Sequence, residues 1–334
     1  MRNKRLQGQV TAGRWTLPAV TFSCTLCWVL MALLLPGDQP AHENAYGLWQ
    51  TIRMYLPSTG VEYAISFLLY GVIGYFLIEL NNTFTLIRMR ASVQTSIYIL
   101  FVTICPSMHL LYAGDIASVA FLFSVFFLFK SYQELNPSGC IFHSFLFIGA
   151  GSLVLPQLIF FAPLWLIGAY RFQSLSLKSL CAALLGWSVP YWFLLGHAFF
   201  YEKIDLFYVP FIELSNFEPI FDFRQMPLWE IATLGYLFIL YITSYVHSLV
   251  AGFEDKIRTR AYLQFLADVS FWLFVFIFLQ PLHGINLLPL LLISVSILTA
   301  HLFVLTHSKI SNLFFIFSLG LLLLLFGFNI WMLL

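Results

Sequence analysis

Apolar residues occupy this chain in long blocks separated by short polar turns, and a helix needs about 20 such residues to cross a bilayer. The blocks cover residues 15–35, 61–78, 92–111, 116–129, 141–170, 180–200, 231–250, 262–279, 287–305 and 313 to the C-terminus. All but one read as single helices. The 141–170 block holds Gly149, Gly151, Pro156 and Pro163, so it fits either one long kinked span or two short helices turning near Gly151 to Gln157. A further stretch, Ala45 to Leu56, carries apolar or aromatic residues at 45, 48, 49, 52, 55 and 56. That period predicts a short amphipathic helix lying along the membrane interface.

Charge sets the path, because cytoplasmic loops collect Lys and Arg. Arg2, Lys4, Arg5 and Arg14 precede the first block, which is long and has no small-x-small cleavage site before Pro36-Gly37-Asp38. It therefore reads as a retained first span with its N-terminus inside rather than as a cleaved signal sequence. A single 141–170 span would put Arg171, Lys178, Lys256, Arg258 and Arg260 outside, so two short helices are expected, each of about 14 residues and reaching about 21 Å. Helices so short need shielding by neighbours or a re-entrant path. The expected architecture is an all-α polytopic membrane protein of eleven helices, N-terminus inside and C-terminus outside, forming a single transmembrane domain over residues 1–334. Its external loops fall at about 36–60 and 201–230. Thirteen of the 16 Lys and Arg then lie inside; Arg53, Lys203 and Arg224 lie outside with ten of the 15 acids, Asp115 and Glu230 among them.

Composition sharpens this picture. The chain is 60% hydrophobic and 9% charged with 37 Phe, against roughly 25% charged residues in ordinary soluble domains. Net charge of +1 gives no attraction to nucleic acid, and the basic rim suits anionic headgroups. The five cysteines lie in or beside spans and form no disulfide framework; Cys24 and Cys27 read as small packing residues. The sequon Asn81-Asn82-Thr83 falls on the inner side.

Candidate chemistry concentrates in the external loops. Asp38, His42 and Glu43 lie within six residues just beyond the first span, a set able to coordinate a divalent cation or to supply a base for an acceptor hydroxyl. A polar loop also needs such residues merely to stay solvated. The second loop interleaves aromatic rings with Glu218 and Asp222, a pattern suited to sugars and equally to an interface. Arg53 and Arg224 are the external cations suited to a phosphate. Asp268 sits inside an apolar block, about 12 Å along the helix from Arg260. It is either a functional intramembrane acid or a hydrogen-bonded structural one. His109, His143, His197, His247, His283 and His301 show no metal-type spacing and read as interfacial or hydrogen-bonded residues.

The order of a first span, an acidic external loop with an interfacial helix, tight helix pairs and a further loop resembles the GT-C class of membrane glycosyltransferases. The resemblance rests on the Asn136-Pro137-Ser138, Phe147 to Gly151, Leu155-Pro156 and Phe161 to Leu164 segments within about the first two hundred residues. It implies a polyprenyl-phosphate sugar donor, a catalytic carboxylate at Asp38 or Glu43, and a phosphate contact from Arg53 or Arg224. The first loop departs from that class in being short and in lacking an adjacent acidic pair. The segment Leu80 to Arg88 (L-N-N-x-x-x-L-I-R) and Thr259-Arg260 also resemble an uncharacterised group of bacterial polytopic proteins, which implies an inner-membrane setting. Three functions follow as expectations: an enzyme of the outer face acting on a lipid-linked substrate, a transporter or flippase, and a non-catalytic subunit bound to a membrane-protein partner.

Overall fold

The computed structural model describes residues 5–34, 47–56, 58–87, 92–215, 220–306 and 308–333. Among these, all regular structure is helical. The fourteen α-helices are α1 (Leu6–Thr11), α2 (Thr16–Leu34), α3 (Gly47–Met54), α4 (Thr59–Phe84), α5 (Ser92–Thr103), α6 (Ala113–Lys130), α7 (Ser138–Val154), α8 (Ala162–Arg171), α9 (Leu177–Phe200), α10 (Asp205–Ser215), α11 (Leu228–Ala251), α12 (Ile257–Leu279), α13 (Gly284–Leu305) and α14 (Lys309–Trp331). Eight are long and apolar enough to cross a membrane, namely α2, α4, α6, α9, α11, α12, α13 and α14, while α5 and α7 are shorter apolar helices. The chain is a multi-pass helical membrane protein.

Proline sets the principal breaks. Pro106, Pro156 and Pro281 each open a 3-10 turn, because a proline lacks the N–H that would continue an α-helical ladder. Pro156 thus divides the 141–170 block into α7 and α8, and α8 brings the chain back to where α7 began. Gln133 N–H donates to the Phe172 carbonyl at 3.0 Å, and the Ser131 and Ser174 hydroxyls meet at 3.0 Å. Two helices, α1 and α10, were not foreseen from the hydrophobic pattern, both being too short to stand out as blocks.

α13 is the axis of the molecule. Every residue from Asn286 to Val304 is buried, and α5, α6, α11 and α12 pack around it. Lipid tails are as apolar as leucine, so such packing depends on close approach and interhelical hydrogen bonds. Gly114 at the start of α6 lies so close to the Asn286 carbonyl that a Cβ there would overlap it. Gly186 of α9 lies equally close to the Phe142 carbonyl of α7, which seats α9 on α7.

The segments gather at two opposite ends. At one, the Gln7 side chain donates to the Phe303 carbonyl at 2.7 Å and to the Thr306 carbonyl at 2.9 Å. There His301 and Asp255 pair at 3.0 Å, Tyr262 donates to the Phe129 carbonyl at 2.8 Å, and Arg258 lies over the Phe84 and Tyr262 rings. Segments bearing Arg5, Lys130, Arg171, Lys178, Arg258 and Lys309 meet at this basic end. At the opposite end Trp49 of α3 is buried with Leu111, Ala113 and Val154, while Tyr63, Leu110 and Tyr112 form a second cluster. A short helix is thus present within the 45–56 stretch as α3, whose indole is buried against its neighbours while Met54 and Tyr55 stay exposed.

Candidate functional site

The first-loop set, Asp38, His42 and Glu43, lies outside the described residues, as does Glu218, and with it the proposed divalent-cation site. Among the described residues no group of three or more His, Cys, Asp and Glu could hold a metal ion. Arg53 occupies the last turn of α3, which packs on α7 and α10. Arg224 is exposed in a 3-10 turn, Phe223–Gln225, which packs instead against the Pro281–His283 turn. Asp222 caps that turn by accepting the Arg224 backbone N–H at 3.1 Å, so it shapes the loop that presents the guanidinium.

Asp268 is not an isolated intramembrane acid. Arg171 at the end of α8 forms an ion pair with it, and Gln264 donates to its other oxygen at 2.9 Å. The pair is part-exposed and clamps α8 to α12, a structural role that sequence reading could not assign because the partners are 97 residues apart. Of the histidines, His143 contacts the Gly139 carbonyl at 2.6 Å and His283 lies 3.3 Å from Gln157, as expected of hydrogen-bonded residues, whereas His109 is fully buried and stacks on Trp28 with centroids 3.7 Å apart.

Two of the acids assigned to the external loops belong to the core. Asp115 is fully buried and Glu230 is 4% exposed. The four residues between the 92–111 and 116–129 blocks are the N-cap and first turn of α6, where Asp115 accepts the Tyr112 N–H at 2.8 Å and the Tyr70 hydroxyl at 2.5 Å. Charge counting assigned them outward because both stand at the start of a span. A helix opening leaves four N–H groups without intrahelical partners, so an acid there, as Asp115 shows, is as readily drawn in to cap as left in water.

The Arg224 turn adjoins an apolar groove of about 550 Å³ between α11 and α12. Ile231, Leu234 and Phe238 form one wall, Phe271, Phe274 and Phe278 the other, each following the i, i+3, i+7 spacing of a single helix face. Seven residues of helix give the groove a length of about 10 Å. Phe221, Phe223 and Met226 close its end, and the Phe221 and Phe223 rings lie 5.1 and 5.3 Å from that of Phe278. Phe238, Phe271 and Phe278 remain about half exposed, so the groove opens sideways where hydrocarbon would lie.

Behind that closed end sits Glu230. A Cβ on Gly284, the first residue of α13, would overlap the Glu230 Oε1 and crowd Met226 Cε, so carboxyl and thioether press on one point. Hydrogen bonding from the described residues does not reach Oε1. Thr233, one turn on, already donates to the Trp229 carbonyl and receives Asn329 Nδ2. The sequence carried one signal for this arrangement, an acid in the first turn of an apolar helix beside a Phe-rich loop.

No protein family, curated protein or solved structure matches the chain.

Proposed function

We propose that the protein acts on a lipid-linked substrate, drawn from the bilayer into the α11–α12 groove with its phosphate on Arg224. The observation that carries this reading is the placement of an exposed guanidinium on the turn that closes a lateral, phenylalanine-walled groove. An acyl or prenyl chain fits the walls, and Arg offers a planar fork for phosphate oxygens. On this reading the basic end faces the cytoplasm of a bacterium, and α5, α7 and α8 with its preceding turn cross as well, giving eleven passes. The reaction is transfer of a sugar or related group. The acceptor hydroxyl oxygen bonds to the anomeric carbon, the bond from that carbon to the phosphate oxygen breaks, and polyprenyl phosphate leaves. Asp38 or Glu43 takes the acceptor proton, with a divalent cation as the expected aid.

A carrier is the second reading, favoured by the hydrogen-bonded acids at both ends of α13, Asp115 with Tyr70 and Asp255 with His301.

Lipid retained by protein extracted from native membranes tests the groove. Gly235 lines it with open space beside its Cα, so Gly235→Trp fills it without a clash. Both Gly235→Trp and Arg224→Ala are expected to cut retained phosphate-bearing lipid at least tenfold by mass spectrometry. Undiminished retention in both sinks the proposal. Loss of product in Asp38→Ala or Glu43→Ala with lipid still bound selects the enzyme over the carrier.

A further inference from the structure

We infer that Glu230 is the second recognition point for that same lipid, accepting a hydrogen bond from a hydroxyl on the head group whose phosphate Arg224 holds. The inference rests on the groove reading and adds the chemistry of the head. A carboxyl in a buried site normally has its lone pairs filled, because an unmade hydrogen bond there costs about 1–3 kcal/mol. Glu230 is 4% exposed and its Oε1 has no partner among the described residues, which thus present an acceptor there without a donor. Among the described residues no cation offsets its burial. From the segment after α5 Cys105 faces it, from α11 Thr233, and from α13 the Gly284 backbone, with His283 one residue earlier.

Met226 links the groove and the carboxyl. It lines the cavity and its Cε crowds the same point over Gly284 as the Glu230 Oε1. A methionine has three rotatable bonds and repacks readily, so a rotamer change opens the groove end onto the carboxyl. Arg224 is exposed on the closing turn, Met226 lines the groove and Glu230 is buried behind it, a gradation from surface to interior. Gly284 is required by the arrangement, since any side chain there occupies the carboxyl's place. The ligand specified is a lipid with a phosphodiester followed by a hydroxylated head, a description met by a polyprenyl-linked sugar and by phosphatidylglycerol alike.

The test uses the full-length chain in phosphatidylcholine nanodiscs doped equally with phosphatidylglycerol and phosphatidylethanol of the same acyl chains. These probes share one negative charge and differ in the head-group hydroxyls. Lipid carried through gentle detergent extraction is counted by mass spectrometry. The wild type is expected to hold phosphatidylglycerol about tenfold over phosphatidylethanol, the discrimination expected of one buried hydrogen bond. Glu230→Met should abolish that ratio while leaving total anionic lipid unchanged, and Glu230→Gln, which keeps an acceptor, should fall between them. If Glu230→Met does not fold, the Gln variant decides. An unchanged ratio in the variants, with Arg224→Ala still losing both probes, overturns the role of Glu230 and leaves the groove standing. Wild-type protein that holds neither probe above phosphatidylcholine overturns the groove and this inference together.

Discussion

α13 and α14 follow one another in the chain, are of nearly equal length and are the two most apolar spans, yet their surroundings are opposite. The most apolar stretch of α13 is entirely buried, whereas 28% of that of α14 is. In water hydropathy sorts inside from outside; in a bilayer both are hydrocarbon, and only close approach and polar contact distinguish them. α13 shows both, with Gly114 pressed on its first turn and His301 bonded to Asp255 near its end. α14 instead displays Leu323 and Leu324, 67% and 73% exposed, and keeps its buried polar residues, Ser318 and Asn329, for bonds to the Tyr236 hydroxyl at 3.1 Å and the Ile104 carbonyl at 2.6 Å.

The contrast breaks most easily at glycine. Gly114→Leu must displace the backbone of α13, and no folded, monodisperse species is expected on size exclusion, while Gly320→Leu on α14 has open space and should behave as wild type. Equal behaviour of the two would mean that α13 is not held as described. Next comes the polar contact: Asp255→Ala leaves His301 buried without its carboxylate and should cost about 2–3 kcal/mol in reversible unfolding in mixed micelles. The finest comparison sets Tyr70→Phe, which removes a donor from fully buried Asp115 and should cost about 1–2 kcal/mol, against Leu324→Ala. The latter should stay within about 0.5 kcal/mol, as exposed positions do. A larger loss at Leu324 would reveal a partner on that face.

How far the sequence carried can be judged from particular residues. Block lengths and loop charge located the eight long spans, and the charge argument placed the break that Pro156 makes between α7 and α8. The period of Leu48, Trp49 and Ile52 was enough for α3. Burial was not legible. The same reasoning counted Asp115 and Glu230 as loop acids, because hydropathy of a segment does not say whether its first turn caps inward. The Arg171–Asp268 and Asp255–His301 pairs join residues distant in sequence, and no local period encodes them. Of the candidate site, Arg224 stood out as a rare cation in its loop and Asp222 by its place among aromatic rings. The groove beneath them was missed because its six wall residues look like ordinary span residues until two helices are set side by side.

The position of the axis in chain order bears on biogenesis. α5, α6, α11 and α12 all precede α13, so a ribosome delivers the centre of the bundle only after the wall that will enclose it has been threaded into the bilayer. Until then those four helices must leave a lipid-filled vacancy, and α13 must enter by displacing acyl chains rather than by nucleating its neighbours. Stalling translation before residue 284 should yield a chain inserted but loosely assembled, open to protease at turns that the finished protein shields.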